Sequence, residues 1–528
     1  MNFVSINPYH DYSMCLYDSN TGWFQYVKLE REIDVKHAGD QWPKNAPPDI
    51  RKESSRVLRE YDFVPDAVGV ALGDSGARSQ NPFPRTKLKL TCHDVEDWQV
   101  DNFIGLTDPV KHRMWVDHHY AHVLSAWVAY GTDFEYGIAV DGQGTSGCTT
   151  AMYRDPFGDV ETVYENRYKN YWTSSFGGCF NSVGEAMNIK GQRGDMAGKI
   201  MGAHAYGVPD SLMLGQLDFN GCIQETIHEN IQNMIDDFKD EKSFENSDWR
   251  NWLATMHRIW EATLEHLIVR NVPMNASVVV SGGAAQNTVF NERIHRLYPK
   301  MEFVPHCYDG GLSFGVLYEM CRQHNQPLPT VSGFPYIQRD EVKERPSRDT
   351  IEKVAKMLAD GKIVGWHQGA GEVGPRALGN RSILMNPSIP DGKDILNSKV
   401  KHREHWRPYA ASVLEEHASE WFETDTPSPY MMRAIPVRKE KREQIPAVVH
   451  VDGTCRIQTV NRMQNEGFCD LIKAFYKLTN VPMLLNTSLN VGGKPISGHP
   501  DRSLALMQET KIDAVCIGDQ IRENITQI

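Results

Sequence analysis

The sequence lacks three patterns that would each define a class of protein. It contains no Gly-x-x-x-x-Gly-Lys-Ser/Thr motif, which argues against a P-loop nucleotide-binding enzyme. Its 10 cysteines are scattered, and none forms a Cys-x-x-Cys pair. That pattern disfavours a structural zinc site and a disulfide framework, and it suits reduced thiols in the cytoplasm. No apolar run approaches the roughly 18 residues of a membrane-spanning helix, so we expect no membrane partner.

The chain also lacks an excess of positive charge, with 56 Lys or Arg against 68 Asp or Glu. The formal net charge is −12 in 528 residues, which argues against general nucleic-acid binding. The first seven residues read as a strand and not as a basic, then apolar, signal peptide. The chain is too long for one ordinary hydrophobic core, so we expect two or more domains in a cytoplasmic protein.

Two histidines, His118 and His122, lie four residues apart at the start of a predicted helix. This spacing places both side chains on one face of the helix, where they could bind one metal ion. With 20 histidines in the chain, chance alone gives about 0.7 such pairs. A surface or core pair therefore remains the alternative until further ligands are found.

Three more polar groups follow predicted strands. Asp141 ends an apolar strand and precedes Gly142, and Asp309 precedes Gly310 and Gly311 in the same manner. Glycines beside such a carboxylate allow backbone N–H groups to approach a phosphate. A simple Asp-Gly turn is the alternative for each. His10 follows the first predicted strand. The pattern is equally compatible with a histidine that faces a ligand and with a turn that is capped by its own polar side chains.

Two glycine-rich segments are candidates for nucleotide contact. One carries Lys199 and Gly202, with the lysine placed to meet an anion. The other, which carries Gly282, Gly283 and Asn287, connects a predicted strand to a helix. The N-terminus of a helix favours phosphate, so the second segment is the stronger candidate.

The second half of the chain contains a basic stretch. Residues 362–407 hold eight Lys or Arg against four Asp or Glu. Arginine and lysine side chains that donate hydrogen bonds to oxyanions, with glycines between them, are typical of a site for a phosphate-rich substrate. The alternative is a basic surface that faces solvent. The candidate anion ligands are Arg376, Arg381, Lys401, Arg403, Arg407, Arg456, Asn486, Ser488 and Asn490.

Nine motifs in order resemble those of one family, the O-carbamoyltransferases of antibiotic and nodulation-factor biosynthesis. The motifs are His10-Asp11, Asp117-His118-His119-x-x-His122, Asp141-Gly142, Gly198-Lys199-x-Met201-Gly202, Gly282-Gly283-x-Ala285-x-Asn287, Asp309-Gly310, Gly374–Ser382, Lys401-x-Arg403-x-x-x-Arg407-Pro408 and Asn486-Thr487-Ser488-x-Asn490. Each is weak alone, but the ordered set is specific.

The resemblance implies a mixed α/β architecture with two domains. We expect a duplicated actin/sugar-kinase-like domain over residues 1–337, a charged linker at 338–348, and a YrdC-like α/β domain over 349–528. It also implies a two-step reaction. The second domain would make carbamoyl-adenylate from carbamoyl phosphate and Mg-ATP, and the first would transfer the carbamoyl group to a hydroxyl.

The resemblance also assigns roles to the candidate residues. The cationic and amide side chains of the second domain would hold carbamoyl phosphate and ATP. Lys199, Gly202, Gly282, Gly283 and Asn287 would hold the adenylate in the first domain. His118, His122, Asp141 and Asp309 would hold a metal, and this donor set suits Fe(II), Mn(II) or Zn(II). His10 is the candidate base for the acceptor, a small-molecule or nucleoside hydroxyl, and a homodimer is possible.

The chain departs from the family pattern at two positions. Thr145 stands near the place of an expected acidic residue, and Ala197 replaces an expected Glu. Both departures concern acceptor binding. A tRNA threonylcarbamoyl synthase is the main alternative, although it should show a basic surface. A hydrogenase-maturation carbamoyltransferase would need Cys-x-x-Cys pairs, and a nucleotide-dependent scaffold would leave the basic second domain unexplained.

Overall fold

The computed structural model describes most of the chain, in two compact units. The described residues are 1–39, 49–72, 90–93, 110–131, 133–167, 175–186, 193–211, 236, 244–339 and 342–524. The first unit comprises residues 1–30, 37–286 and 293–332, and the second comprises 31–36, 287–292 and 333–528. Within the described residues, no helix is both long enough and apolar enough to cross a membrane.

The described chain contains both strands and helices along its whole length. The strands are β1 (Asn2–Asn7), β2 (Ser13–Asp18), β3 (Trp23–Lys28), β4 (Ala67–Ala71), β5 (Thr91–His93), β6 (His112–Val116), β7 (Tyr136–Val140), β8 (Cys148–Arg154), β9 (Glu161–Arg167), β10 (Val278–Ser281), β11 (Met301–Phe303), β12 (Val364–His367), β13 (Arg381–Met385), β14 (Ala410–Leu414), β15 (Ala434–Pro436), β16 (Thr454–Val460), β17 (Met483–Ser488), β18 (Ala514–Ile517) and β19 (Gln520–Glu523). The α-helices are α1 (Leu29–Ile33), α2 (Ile50–Glu60), α3 (His118–Leu124), α4 (Trp127–Tyr130), α5 (Gly178–Ala186), α6 (Arg193–Ala203), α7 (Ser247–Asn271), α8 (Thr288–Leu297), α9 (Leu312–Gln323), α10 (Arg348–Ala359), α11 (Gly392–Leu396), α12 (Ala418–Trp421), α13 (Glu466–Thr479) and α14 (Pro500–Glu509).

The two sheets of the first unit have the same strand order. In the first sheet, β3, β2 and β1 form an antiparallel meander, and β4 and β6 add in parallel beside β1. In the second sheet, β9, β8 and β7 form the meander, and β10 and β11 add in parallel beside β7. Strand β5 is an antiparallel addition to the edge of the first sheet. This repetition confirms the predicted duplicated, mixed α/β architecture.

The second unit is built on one eight-stranded mixed sheet, in the order β15-β16-β14-β17-β13-β12-β18-β19. Helices α10 and α13 contribute apolar side chains to its core, among them Val354, Leu358, Phe468 and Phe475. Ala410 of β14 pairs with Arg456 of β16 on one side and with Asn486 of β17 on the other. Arg456 and Asn486, two predicted anion ligands, therefore lie at the same level of the sheet, on either side of β14.

Most elements follow the predicted pattern, with small differences at their ends. The sequence predicts a helix over Ser54–Tyr61, and helix α2 already begins at Ile50, because Asp49 accepts a hydrogen bond from Lys52 N and caps the helix. The sequence also predicts long amphipathic helices over residues 222–270, of which 222–235 and 237–243 lie outside the described residues. The polar segment at residues 73–112, with specificity and surface packing as its alternative roles, lies largely outside them too. Four motif segments of the first unit follow repeated strands.

Candidate active site

The candidate site residues of the first unit lie at equivalent positions in its two repeats. His10 follows β1 and Asp141 follows β7, the first strands of the two repeats. His118 and Asp309 follow β6 and β11, the last parallel strands of the repeats. Because the parallel strands of a repeat end at the same edge of its sheet, groups at these positions converge.

The two histidines lie on helix α3, whose start is fixed by two side chains. Asp117 accepts a hydrogen bond from Tyr120 N at 2.9 Å and caps the helix. Thr145 Oγ1 accepts a hydrogen bond from His118 N at 3.1 Å. Thr145, noted in the sequence as a departure near the site, therefore stabilises the first turn of the metal-ligand helix.

Helices α3 and α9 pack at unusually close range. A Cβ atom at Gly315 would lie 1.9 Å from the backbone oxygen of Ala121, so only glycine permits this approach. Ala121 precedes His122 directly, and α9 begins three residues after Asp309. The close contact therefore places the histidine and the second aspartate side by side.

The four predicted metal ligands form one group in the first unit. His122 Nε2 lies 2.9 Å from Asp141 Oδ2 and 3.4 Å from Asp309 Oδ1. His118 Nε2 lies 3.3 Å and 3.6 Å from the same two oxygens. The four ligand atoms all lie within 4.8 Å of one another, and both imidazoles are almost fully buried.

Each aspartate is fixed by its surroundings. Asp141 Oδ1 accepts a hydrogen bond from Gly142 N at 2.6 Å, which leaves Oδ2 directed at the histidines. A Cβ atom at Gly283 would lie 2.9 Å from Asp141 Oδ1, so the glycine pair after β10 passes directly beside this carboxylate. Asn7 Nδ2 donates to the backbone oxygen of Asp309 at 3.1 Å.

The electrostatics of the group favour a bound cation. Burial lowers the pKa of His122, but the carboxylates of Asp141 and Asp309 outweigh it and raise the pKa to about 9. Burial opposes ionisation of Asp141, yet the two histidines hold its pKa well below the ordinary range. Two carboxylates thus face two imidazoles at short range. A divalent cation would balance them while leaving the imidazoles neutral.

The donor set fits a transition-metal ion. Two imidazole nitrogens and two carboxylate oxygens converge, and this mixture suits Fe(II), Mn(II) or Zn(II) better than Mg²⁺. The residues present therefore fit the predicted metal site.

His10 lies next to this group and contacts it through one carboxylate. Its Nε2 lies 3.2 Å from Asp309 Oδ2, and its Nδ1 lies 3.1 Å from Asp11 Oδ2. Although burial lowers the pKa of His10, Asp309 and Asp11 together raise it above the ordinary value of an imidazole. More than half of the side chain surface is exposed, so the ring is open to a substrate.

A second polar group, which the sequence did not predict, lies behind His10. Asp11 Oδ1 lies 3.0 Å from His37 Nδ1 and 3.9 Å from Lys28 Nζ. Lys28 Nζ donates to Glu30 Oε1 at 2.5 Å. Asp11, Glu30 and His37 could hold a metal ion by distance alone. The buried ammonium of Lys28 already supplies the positive charge, so we interpret this group as support for His10.

The remaining predicted residues of the first domain lie on two segments. Lys199 and Gly202 are buried on helix α6. Gly282 has a φ of +91°, and a Cβ atom there would lie 2.2 Å from Val140 O, so this glycine is required by the close approach of β7. Asn287, which belongs to the second unit, accepts a hydrogen bond from Phe290 N and caps helix α8.

Four arginines of the second unit form a guanidinium cluster: Arg376, Arg403, Arg407 and Arg456. Burial, together with the positive charges of the other three arginines, holds the pKa of Arg456 well below its ordinary range. Arg407 lies 3.9 Å from Glu404, a long separation for an ion pair. Several half-buried guanidinium groups that act on one another repel each other, and such an arrangement favours a phosphate-bearing anion.

Lys401, Ser488 and Asn490 form a separate group. Lys401 is buried, and its Nζ donates to Asn490 Oδ1 at 2.7 Å and to the backbone oxygens of Ser488 and Asn490 at 2.8 Å. Burial, with Arg403 and Arg407, holds the pKa of Lys401 well below its ordinary range. These contacts use the three N–H donors of the ammonium, so Lys401 fixes the end of β17.

Arg381 and Asn486 hold backbone groups of the loop at residues 374–381. Arg381 is fully buried and donates to the backbone oxygens of Gln368, Asn380 and Gly369. Asn486 Nδ2 donates to Ala377 O at 3.2 Å and to Ser412 Oγ at 2.9 Å. Their positions indicate support for the loop that carries Arg376.

Glu372 is a residue of this site that sequence reasoning missed. Its Oε1 accepts hydrogen bonds from the backbone N–H groups of Leu378, Asn380 and Arg381, at 2.8, 2.8 and 3.0 Å. The carboxylate is fully buried and organises the loop at residues 374–381. An isolated Glu two residues before Gly374 offers no local signal for this role.

Fold and site together define a class of protein. A duplicated α/β unit with a close group of two histidines and two aspartates is joined to a unit with a half-buried guanidinium cluster. These side chains are of the kinds that divalent cations and phosphate groups bind.

Comparison with known proteins connects part of the chain with the carbamoyltransferases. Residues 355–523 match the family model "Carbamoyltransferase C-terminus". This segment contains all four arginines of the guanidinium cluster, and it confirms the resemblance to carbamoyltransferases that the ordered motifs predicted.

Curated relatives include three nodulation proteins. Nodulation protein NolNO of Sinorhizobium fredii is 36% identical over 264 residues, which are 46% of this chain and 39% of the relative. Nodulation protein NolO of Bradyrhizobium diazoefficiens is 34% identical over 285 residues, 50% of this chain and 52% of the relative. Nodulation protein U of Rhizobium tropici is 34% identical over 260 residues, 46% of this chain and 44% of the relative. The matches thus span about half the length of these relatives or less.

Solved structures resemble the chain more distantly. Component A of the Acidaminococcus fermentans (R)-2-hydroxyglutaryl-CoA dehydratase has a TM-score of 0.35 at 10% identity, and covers 62% of this chain and 100% of its own. HypF of T. kodakarensis has a TM-score of 0.33 at 12% identity, and covers 60% of this chain and 47% of its own. The fold assignment above rests on the strand order and not on these scores.

Proposed function

We propose that the protein is an ATP-dependent O-carbamoyltransferase that uses carbamoyl phosphate. The observation that carries this proposal is the guanidinium cluster inside the segment that matches the carbamoyltransferase C-terminal family. Both proposed substrates of the second unit are phosphate-bearing anions, and arginine binds such groups through paired N–H donors. We further propose a YrdC-like fold for this unit and a cytoplasmic location.

In the proposed first step, the second unit forms carbamoyl-adenylate. Water releases phosphate from carbamoyl phosphate, and an oxygen of the resulting carbamate attacks the α-phosphorus of ATP. That P–O bond forms as the bond to pyrophosphate breaks, and carbamoyl-adenylate and pyrophosphate result. Arg376, Arg403, Arg407 and Arg456 would bind the phosphate oxygens, while Glu372 and Asn486 would hold the loop that carries Arg376.

In the proposed second step, a hydroxyl of the acceptor attacks the carbamoyl carbon and AMP departs. Lys199, Gly282 and Gly283 of the first unit would contact the nucleotide. A divalent metal bound by His118, His122, Asp141 and Asp309 would supply positive charge to polarise a carbonyl or to neutralise a phosphate.

His10 would accept the proton of the hydroxyl. Its exposed ring lies beside Asp309, and Asp11 fixes Nδ1, which leaves Nε2 as the nitrogen that faces the site. Neutralisation of the Asp309 charge would return the pKa of His10 toward its ordinary value, where an imidazole acts as a base. The acceptor is proposed as a small-molecule or nucleoside hydroxyl.

One assay tests the proposal. The protein is mixed with ATP and carbamoyl phosphate, and formation of pyrophosphate is followed, with AMP as the further product once an acceptor is present. Carbamoyl-phosphate-dependent pyrophosphate is the expected result. Pyrophosphate release that depends instead on threonine with bicarbonate would make the protein a threonylcarbamoyl-adenylate synthase, and no pyrophosphate with any donor would favour the scaffold. Candidate acceptors are then screened by mass spectrometry for the added carbamoyl group.

A further inference from the structure

Arg403 reaches the guanidinium cluster from an unusual stretch of backbone. Residues Asn397–Lys401 form a π-helix, and His402 follows in the left-handed region with a φ of +45°. Such π-helical turns are rare and occur often at functional sites. The turn directs Arg403 toward Tyr409, which lies immediately before β14.

Two neutral side chains hold this arginine. The guanidinium carbon of Arg403 lies 4.2 Å from the centre of the Tyr409 ring, within the range of a cation–π contact. Tyr409 Oη donates to Asn397 Oδ1 at 2.6 Å, and Arg403 Nε faces the same oxygen at 3.4 Å. Tyr409 is 2% exposed and Asn397 is 8% exposed, so both partners are themselves fixed by packing.

The contacts leave one edge of the guanidinium available. Arg403 Nη2 donates to Pro408 O at 3.2 Å, and Nε faces Asn397. Among the described contacts of Arg403, none involves Nη1. One ring face and the Nε edge are therefore occupied, while Nη1 can donate to a ligand.

Asn397 and Tyr409, the two side chains that hold Arg403, are both uncharged. A carboxylate would hold an arginine more strongly than an amide oxygen, but it would also cancel the positive charge that an oxyanion needs. The amide oxygen of Asn397 and the ring of Tyr409 orient the guanidinium without adding a negative charge. Uncharged partners are an advantage for an arginine only when its guanidinium group binds an anion.

We propose that Tyr409 and Asn397 are positioning residues, which fix Arg403 in the orientation that binds an oxyanion of carbamoyl phosphate. The inference deepens the proposed function and rests on it for the identity of the ligand. Neither residue needs to touch the ligand, because both act through Arg403.

The test measures binding of carbamoyl phosphate by calorimetry, and its KM in pyrophosphate release, with the full chain. Tyr409→Phe keeps the ring and loses one hydrogen bond, so we expect binding to weaken by about 2- to 10-fold. Tyr409→Leu also loses the ring, and we expect a loss of about 10- to 100-fold. The KM for carbamoyl phosphate should rise while the KM for ATP stays within about twofold.

Asn397→Asp separates positioning from simple structural support. The variant keeps the shape of the side chain and strengthens its attraction to Arg403, so the melting temperature should not fall. We nevertheless expect carbamoyl phosphate binding to weaken by about 100-fold or more, because the added charge opposes the anion. Asn325→Asp, at an exposed position, and Tyr476→Phe, on helix α13, serve as matched controls that should bind like the wild type.

Two results would overturn the inference. The first is wild-type binding by folded Asn397→Asp. The second is an effect of Tyr409→Leu that persists unchanged in an Arg403→Lys background, because a residue that acts through Arg403 loses its effect when that arginine is replaced. If the wild type binds carbamoyl phosphate but releases no pyrophosphate from ATP, the proposed function fails, while the binding measurements still decide the positioning role.

Discussion

At the scale of single residues, the candidate metal site consists of two histidines and two aspartates that contact each other in pairs. Each buried histidine of the group contacts both aspartates, and each aspartate contacts both histidines. Loss of one carboxylate removes a ligand and also leaves the remaining buried charges unbalanced. The group therefore behaves as a unit.

Asp141→Asn tests the role of the group in metal binding. The amide is nearly isosteric but is neutral and a weaker ligand, so we expect the affinity for Mn(II) or anaerobic Fe(II) to fall by at least about 100-fold. Calorimetry and metal analysis of the purified protein measure this. Asp159→Asn, at an exposed position, is the matched control. Equal metal content in both variants would remove Asp141 from the ligand set.

The pH dependence of metal affinity follows from the pKa of His122. This pKa is raised to about 9 when no metal is bound, so the imidazole is protonated at neutral pH and must lose its proton to bind metal. Apparent affinity should therefore increase by about tenfold per pH unit as the pH rises from 6.5 toward 9. Calorimetry in buffers of different ionisation enthalpy should show proton release at pH 7.5. Affinity independent of pH would contradict the account.

The proximity of the four candidate metal ligands could be predicted at this scale, but the contacts of several cationic-site residues could not. A histidine pair at helical spacing and two carboxylates at strand ends are local patterns, and the structure places them in one group. The contacts of Lys401 depend on β17, which lies more than 80 residues further along the chain. Glu372 acts through backbone N–H groups, which carry no side-chain signature.

At the scale of elements, the site depends on how closely two helices approach. The Ala121–Gly315 contact between α3 and α9 brings His122 beside Asp309. Because a methyl group has no room there, any larger residue must separate the helices.

Gly315→Ala should consequently destabilise the fold and weaken metal binding together. We expect a loss of about 1–3 kcal/mol in the free energy of unfolding, measured by denaturant titration, with reduced metal affinity. Gly467→Ala, in helix α13, is the control because its nearest neighbour would lie 3.6 Å away, and it should stabilise by up to about 1 kcal/mol. Full metal affinity in Gly315→Ala would show that the helix contact does not position the ligands.

The loop at residues 374–381 is the corresponding element of the second unit. Glu372→Ala leaves three buried N–H groups without their acceptor, so we expect faster hydrogen exchange across this loop and loss of AMP formation. Glu352→Ala, on the exposed side of α10, provides the control. Unchanged exchange in Glu372→Ala would show that the loop is held by other contacts.

At the scale of the whole molecule, each compact unit carries one chemical step of the proposed reaction. The duplicated architecture of the first unit was predicted from the family resemblance, and the repeated strand order confirms it. The membership of residues 31–36 and 287–292 in the second unit was not predictable, since it depends on contacts distant in sequence. Arg433, for example, pairs with Glu292 at 2.9 Å.

The most direct test of this division measures carbamoyl-phosphate-dependent pyrophosphate release by the full chain and two variants. Pyrophosphate release requires no knowledge of the acceptor, because it accompanies adenylate formation. We predict that His118→Ala keeps the wild-type rate within about twofold, whereas Arg403→Ala loses about 100-fold or more. Equal loss in the two variants, with both folded, would contradict the assignment of adenylate formation to the second unit alone.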